Sequence, residues 1–219
     1  MKLISLNISM PVTTSYMGRT FKTGIFKNSV AGPIMLHSWP KNLDGDGQGD
    51  SRSHGTEHKA VYAYPLEHYS YWQKELGCGK FQFGQFGENF TVQGMLENEV
   101  HIGDIFRFGD AEVEVTQPRS PCYKLGMKMG IPNFQDLFIK SHLTGFYMRV
   151  LKKGNVWPNS EVTRLKVGDG KLSIRNIHTL RFRGHNSIKD LRKALAVPAL
   201  SEEWRRQLEA LLQNTNRTK

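Results

Sequence analysis

A chain of 219 residues, 38% of them hydrophobic, with a formal charge of +10, suits one sizeable domain plus a small appendage. No run approaches the ~20 apolar residues of a membrane-spanning helix, and residues 1–9 alternate in polarity instead of forming an apolar export signal. Two cysteines, Cys78 and Cys122, do not make a disulfide framework, so a reducing cytoplasm is the expected compartment.

The positive charge attracts anions in general: phosphorylated cofactors, nucleic acids, anionic membranes. Nothing else points to nucleic acid. The chain has no RNP-type stacking motif and no helix-turn-helix punctuation. Many of its basic residues fall late, where they read as a solvated helix face.

The pattern is mostly β up to about residue 170. Short runs at 23–27, 33–36, 60–64, 100–102, 105–108 and 111–116 lie between frequent glycines, which predicts a barrel or sandwich. Gly103-Asp104 and Gly109-Asp110 begin tight turns, so 100–116 reads as a hairpin series. Two helices interrupt. One starts at Pro65 and carries Leu66, Tyr69, Trp72 and Leu76 at helical spacing until Gly77. The other, at 133–141, follows Pro132 with Phe134, Leu137 and Phe138 on one side.

Composition shifts after Val167-Gly168-Asp169-Gly170. Residues 172–182, 187–196 and 201–213 read as three short helices, with Ser187 and Ser201 as N-caps and Glu202 and Glu203 in a first turn. The fold class is therefore mainly β: a barrel-like domain at 1–168 with a few helices, plus a three-helix module at 169–219. Such a module is small enough to need the barrel for packing. A cut after Gly170 is expected to leave the barrel folded.

Asp44-Gly45-Asp46-Gly47-Gln48-Gly49-Asp50 looks like a calcium loop, but its twelfth position is Gly55 where an EF-hand needs glutamate. The glycines fit either a flexible loop or a close approach of backbone to phosphate. His54-Gly55-Thr56-Glu57-His58 matches the H-x-x-E-H pattern of zinc peptidases, yet it sits between a glycine-rich loop and a strand, with no room for the required helix. Arg19, Lys22 and Lys27 surround Thr23-Gly24-Ile25, either as an exposed strand face or as an anion-binding wall. Gly87 and Asn89, in Phe86-Gly87-Glu88-Asn89-Phe90, offer close backbone approach and a side-chain amide.

Cys122 is the most informative residue. In Gln117-Pro118-Arg119-Ser120-Pro121-Cys122-Tyr123-Lys124-Leu125 two prolines predict a rigid, non-helical segment after the strand at 111–116. Arg119 and Lys124 would favour the thiolate, a nucleophile or a ligand for a soft metal centre. A buried free cysteine is the alternative.

Several runs, in this order, resemble MOSC-domain proteins, relatives of the carboxy-terminal domain of molybdenum-cofactor sulfurases, and in particular their YiiM type. They are Gly18-Arg19 to Gly24-Ile25, Gly49-Asp50 with His54-Gly55, Ala60-Val61-Tyr62-Ala63-Tyr64-Pro65, Phe86-Gly87-Glu88-Asn89-Phe90, Ile102-Gly103-Asp104 and the Cys122 run. Leu195-Ala196-Val197-Pro198-Ala199-Leu200-Ser201-Glu202-Glu203-Trp204-Arg205 resembles the three-helix module of that type. The resemblance implies a barrel that binds the pterin-based molybdenum cofactor, with Cys122 as the metal's thiolate ligand and catalytic centre. Arg19, Lys27, His54, Gly87, Glu88, Asn89, Arg119 and Ser120 are the implied cofactor-binding residues. It also implies reduction of N-hydroxylated compounds, hydroxylamino base analogues included, as detoxification without pyridoxal phosphate. This chain departs from the family at 54–58, where His-Gly-Gly-Pro-Asp is usual.

No flavin motif or iron–sulfur cysteine cluster is present, so electrons are expected from a separate flavin or iron–sulfur reductase. A carrier of the cofactor, or of a sulfur on Cys122, would use the same thiolate without turnover. The oligomeric state, homodimer included, stays open.

Overall fold

The computed structural model describes residues 1–47, 49, 56–182 and 187–217. Its strands are β1 (Lys2–Ile8), β2 (Val12–Tyr16), β3 (Arg19–Thr23), β4 (Asn28–Val30), β5 (Ile34–Leu36), β6 (Val61–Pro65), β7 (Phe90–Gln93), β8 (Ile105–Phe108), β9 (Ala111–Pro118), β10 (Phe146–Lys152), β11 (Gly154–Val156) and β12 (Ser160–Lys166). The helices are α1 (Glu67–Leu76), α2 (Tyr123–Met129), α3 (Phe134–Ser141), α4 (Ile174–Phe182), α5 (Ile188–Leu195) and α6 (Glu202–Arg217).

Seven strands close a barrel in the order β1-β12-β8-β9-β10-β6-β7, which returns to β1. Closure removes the open edges that a sheet would otherwise expose. Neighbours are antiparallel except β6 and β7. β9 shows the driving pattern: Ala111, Val113 and Val115 are buried, while Glu112 and Glu114 between them are only half-buried. β6 is buried along its whole length and feeds two cores. Val61 and Ala63 belong to the barrel interior. Tyr62 and Tyr64 belong to an aromatic cluster outside it, with Tyr69 and Trp72 of α1, Phe86, Leu125 of α2, and Phe134 and Phe138 of α3.

The three carboxy-terminal helices form as read. The Ser187 side chain accepts from the Asp190 N–H, and Ser201 Oγ accepts from the Trp204 N–H at 3.3 Å. They also share a core with the barrel. Ile174, Ile177, Leu191, Trp204 and Leu208 are buried in the same continuous cluster as Phe106, Phe108 and Val113 of the barrel.

Four local expectations are corrected. Pro65 closes β6, paired with Val92, and the helix begins at Glu67, because a proline at a strand end needs no N–H in the ladder. Residues 24–27 leave the sheet after Thr23. Residues 100–102 form only an isolated bridge, His101 to Ser173. The non-helical reading of 117–125 fails at Tyr123, where α2 starts. Glu57–Lys59 form a single 3-10 turn. No helix among the described residues is long and apolar enough to cross a membrane.

A buried histidine pair joins the module to the barrel domain. His142, just after α3, and His178 of α4 face each other with Nδ1 to Nδ1 at 3.0 Å, one ring nitrogen donating to the other. Burial, reinforced by the charges of His142, Arg181 and Arg175, pushes His178 down to about 3. Its neutral form is the one that folds, so the unfolded chain binds the extra proton below the ordinary value of 6.5. Stability is expected to fall as pH drops from that value, by about 2 kcal/mol at pH ~5 from this group. Urea midpoints at neutral and acid pH check this, and His178→Phe is expected to flatten the difference.

Candidate cofactor site

Cys122 stands between β9 and α2 in extended conformation, φ −125° and ψ 172°. The prolines at 118 and 121 keep the intervening turn out of both strand and helix. The thiol is half-buried and lines a cavity with about 680 Å³ of empty space, its open mouth included.

Arg119 is 6% exposed and lines this site. It donates to the Phe86 carbonyl and lies over the Tyr62 ring, 4.5 Å from its centroid. It thereby ties the thiol turn to the loop at 84–89. That loop needs glycine: Gly84 and Gly87 both have φ of +80°, and a Cβ on Gly87 would lie 2.8 Å from Ile25 Cγ1.

Glu88 holds the loop from below. It is fully buried and accepts from the backbone N–H of Gly84 and of Phe86, both at 3.0 Å, from Thr91 Oγ1 at 3.0 Å, and from the Tyr69 hydroxyl. Burial pushes its carboxyl up against these donors, which favour the ionised form. Lys128 of α2 clamps the same loop, donating to Gly84 O at 2.6 Å and Ile25 O at 2.9 Å; burial brings it down to about 8. Glu88→Gln sets an amide N–H₂ against these donors. It is expected to lower unfolding free energy by roughly 2–4 kcal/mol, read by urea denaturation.

The opposite wall carries Lys27 paired with Asp46, whose carboxylate also accepts from Asn89 Nδ2 at 2.9 Å and from the Ser9 N–H at 2.8 Å. Burial lowers Lys27, and the Asp46 charge works against that. Lys59 and Lys124 also line the cavity; Lys59 is paired with Glu203 of α6. Tyr147 lines it too, its phenol kept neutral by burial.

The structure thus brings Lys27, Gly87, Asn89, Arg119 and Cys122 around one cavity. Glu88 lies beneath the lining and positions it. Ser120 is not part of the lining and accepts from Arg181 of α4. Arg19 is exposed at the start of β3, away from the lining. His54 lies outside the described residues. Asp46, Lys59, Tyr62 and Tyr147 line the cavity without having been singled out for this site. Pairing of β10 with both β6 and β9, Tyr147 opposite Tyr62 and Gln117, brings Tyr147 here, and no local motif encodes that register.

A closed seven-stranded barrel, a cavity lined by one thiol and four cationic side chains, and a three-helix module that shares the barrel's core define a mainly β protein with a small helical part. The chain belongs to the MOSC domain family: residues 50–169 match the MOSC domain, and residues 172–215 match the YiiM-like, 3-alpha helix domain. It is similar to the protein YflK of Bacillus subtilis, 38% identical over 93% of this chain and 90% of that one. It is 31% identical to the protein YiiM of Escherichia coli, over 85% and 83% of the two chains. A Gibberella moniliformis protein named a reductase is 32% identical over 74% of this chain and 29% of its own length. The crystal structure of YiiM from Geobacillus stearothermophilus superposes with a TM-score of 0.81 at 32% identity, covering 96% of this chain and 98% of that one.

Proposed function

We propose that this protein binds the pterin-based molybdenum cofactor through Cys122 and reduces N-hydroxylated compounds with electrons from a separate reductase. The observation that carries this reading is a single thiol in a cavity lined by Lys27, Lys59, Arg119 and Lys124, with Asp46 the one carboxylate among the lining residues described. The donor set fits the group: a soft sulfur suits molybdenum, and surrounding cations suit a phosphate-bearing pterin. When bound, the cofactor would supply the redox chemistry that removes oxygen from nitrogen.

The protein's own part is positioning and proton supply. Arg119 and Lys128 fix the loop at 84–89, so backbone at Gly87 and the Asn89 amide face the cavity in one conformation. Reduction of R–NH–OH to R–NH₂ and water consumes a pair of electrons and a pair of protons. Tyr147, neutral and on the cavity wall, would hold one of those protons. The name of the Gibberella relative supports an oxidoreductase reading over a carrier.

Protein purified from a host that makes the cofactor is expected to carry stoichiometric molybdenum. With a supplied flavin or iron–sulfur reductase it is expected to turn over a hydroxylamine or an N-hydroxylated base. Molybdenum without turnover would instead support a cofactor carrier, and absence of molybdenum would end both of these readings and leave only a sulfur carrier.

A further inference from the structure

We infer that Arg181, on the first helix of the carboxy-terminal module, is a positioning residue for the Cys122 turn, so that the module is part of the site. The turn from Arg119 to Cys122 has neither strand nor helix hydrogen bonding, and Pro121 lacks an N–H. Its start is held by the Arg119 N–H donating to Gly145 O at 3.2 Å. Its end is held by the Leu125 N–H donating to Cys122 O at 2.9 Å. Between these points the tie among the described residues is Arg181, which donates to Ser120 Oγ, two residues before the thiol.

Arg181 is itself fixed. Its guanidinium stacks over Phe182 at 4.7 Å and over Trp204 at 4.9 Å, and Trp204 is fully buried in the common core. A planar donor held against two rings presents a rigid N–H to the serine. A second, independent link runs the same way. Glu203 of α6 pairs with Lys59, which lines the cavity holding Cys122. The module therefore reaches two wall elements of the site through charged side chains, beyond its apolar contact with the barrel.

The test uses apo-protein with Cys78→Ser, which leaves Cys122 as the sole thiol, and reads its alkylation by iodoacetamide well below the melting temperature. Arg181→Met and Ser120→Ala are each expected to speed alkylation about threefold, since both free the same turn, and the double variant is expected to go no further than either. Arg181→Lys is expected to restore much of the parental rate. Ser120→Ala removes only a hydroxyl and keeps the inference testable if Arg181→Met folds poorly. Leu208→Ala serves as control, because it destabilises the module core without touching the turn. Unchanged rates in both Arg181→Met and Ser120→Ala would overturn the inference, as would a rise that Leu208→Ala reproduces at equal loss of stability. The inference rests on the reading of Cys122 as the functional thiol. Molybdenum content of the parent, measured separately, tests that reading, and the alkylation result stands without it.

Discussion

Cys122→Ala is expected to abolish molybdenum retention and N-hydroxyl reduction together while the fold persists. The structural side follows from where the thiol sits. Cys122 is half-buried, belongs to neither apolar cluster, and makes no side-chain capping bond at the start of α2. Substitutions at such positions usually cost within about 0.5 kcal/mol. The chemical side follows from the lining. Cys78 is exposed and lies outside the cavity lining, so it offers no replacement sulfur. The remaining lining groups are hard nitrogen and oxygen donors, poor substitutes for a thiolate on a soft metal. Molybdenum analysis and a reductase-coupled assay on the same preparation, with circular dichroism as the folding check, decide the matter. Parental activity in the variant would remove Cys122 from the mechanism.

The legible parts were those written locally. The alternation at 111–116, the turn at Gly109-Asp110 and the caps at Ser187 and Ser201 each depend on a few neighbouring residues, and each forms. Cys122 and Arg119 also stood out locally, because paired prolines and a nearby cation share one short run. What stayed hidden was contact between distant segments. Asp46 reaches the site only because a loop after β5 packs back on Lys27 and Asn89. α2 was missed for a related reason. Gly126 is a poor helix former, yet α2 needs it, since a Cβ there would lie 2.8 Å from both Ile131 O and Pro132 O. Tertiary packing of Leu125 outweighs that propensity. Glu88 belongs to the loop that the sequence marks, but its burial beneath that loop is not written locally. Only its four donors show that it faces inward.

Removal of everything after Gly170 is expected to prevent the barrel from folding cooperatively, the reverse of what the composition shift suggests. Leu172, Ile174, Ile177, Leu191, Leu200, Trp204 and Leu208 are all buried in one cluster with the barrel interior. Their loss would leave a wide apolar face in water, at roughly 25 cal/mol per Å² of newly exposed area. Backbone pairing is lost as well. Ile102 donates to Leu172 O at 2.9 Å, Ile174 to Val100 O at 2.9 Å, Arg175 to Glu97 O at 2.8 Å, and Ser201 to Thr116 O at 3.1 Å. These bonds tie the module to the segment at 97–102 and to the end of β9, two residues before Pro118. A gentler probe in the full chain is Trp204→Ala, which removes a fully buried indole and should cost about 3–5 kcal/mol. That is a large share of the roughly 5–15 kcal/mol by which a domain is stable. A truncated chain that stays monomeric and melts in one sharp transition would show that the barrel stands alone, and the shared core would then be only a docking surface. Aggregation or a broad transition, together with the large Trp204→Ala loss, is the expected result. It would make the module part of the folding unit that holds the Cys122 turn.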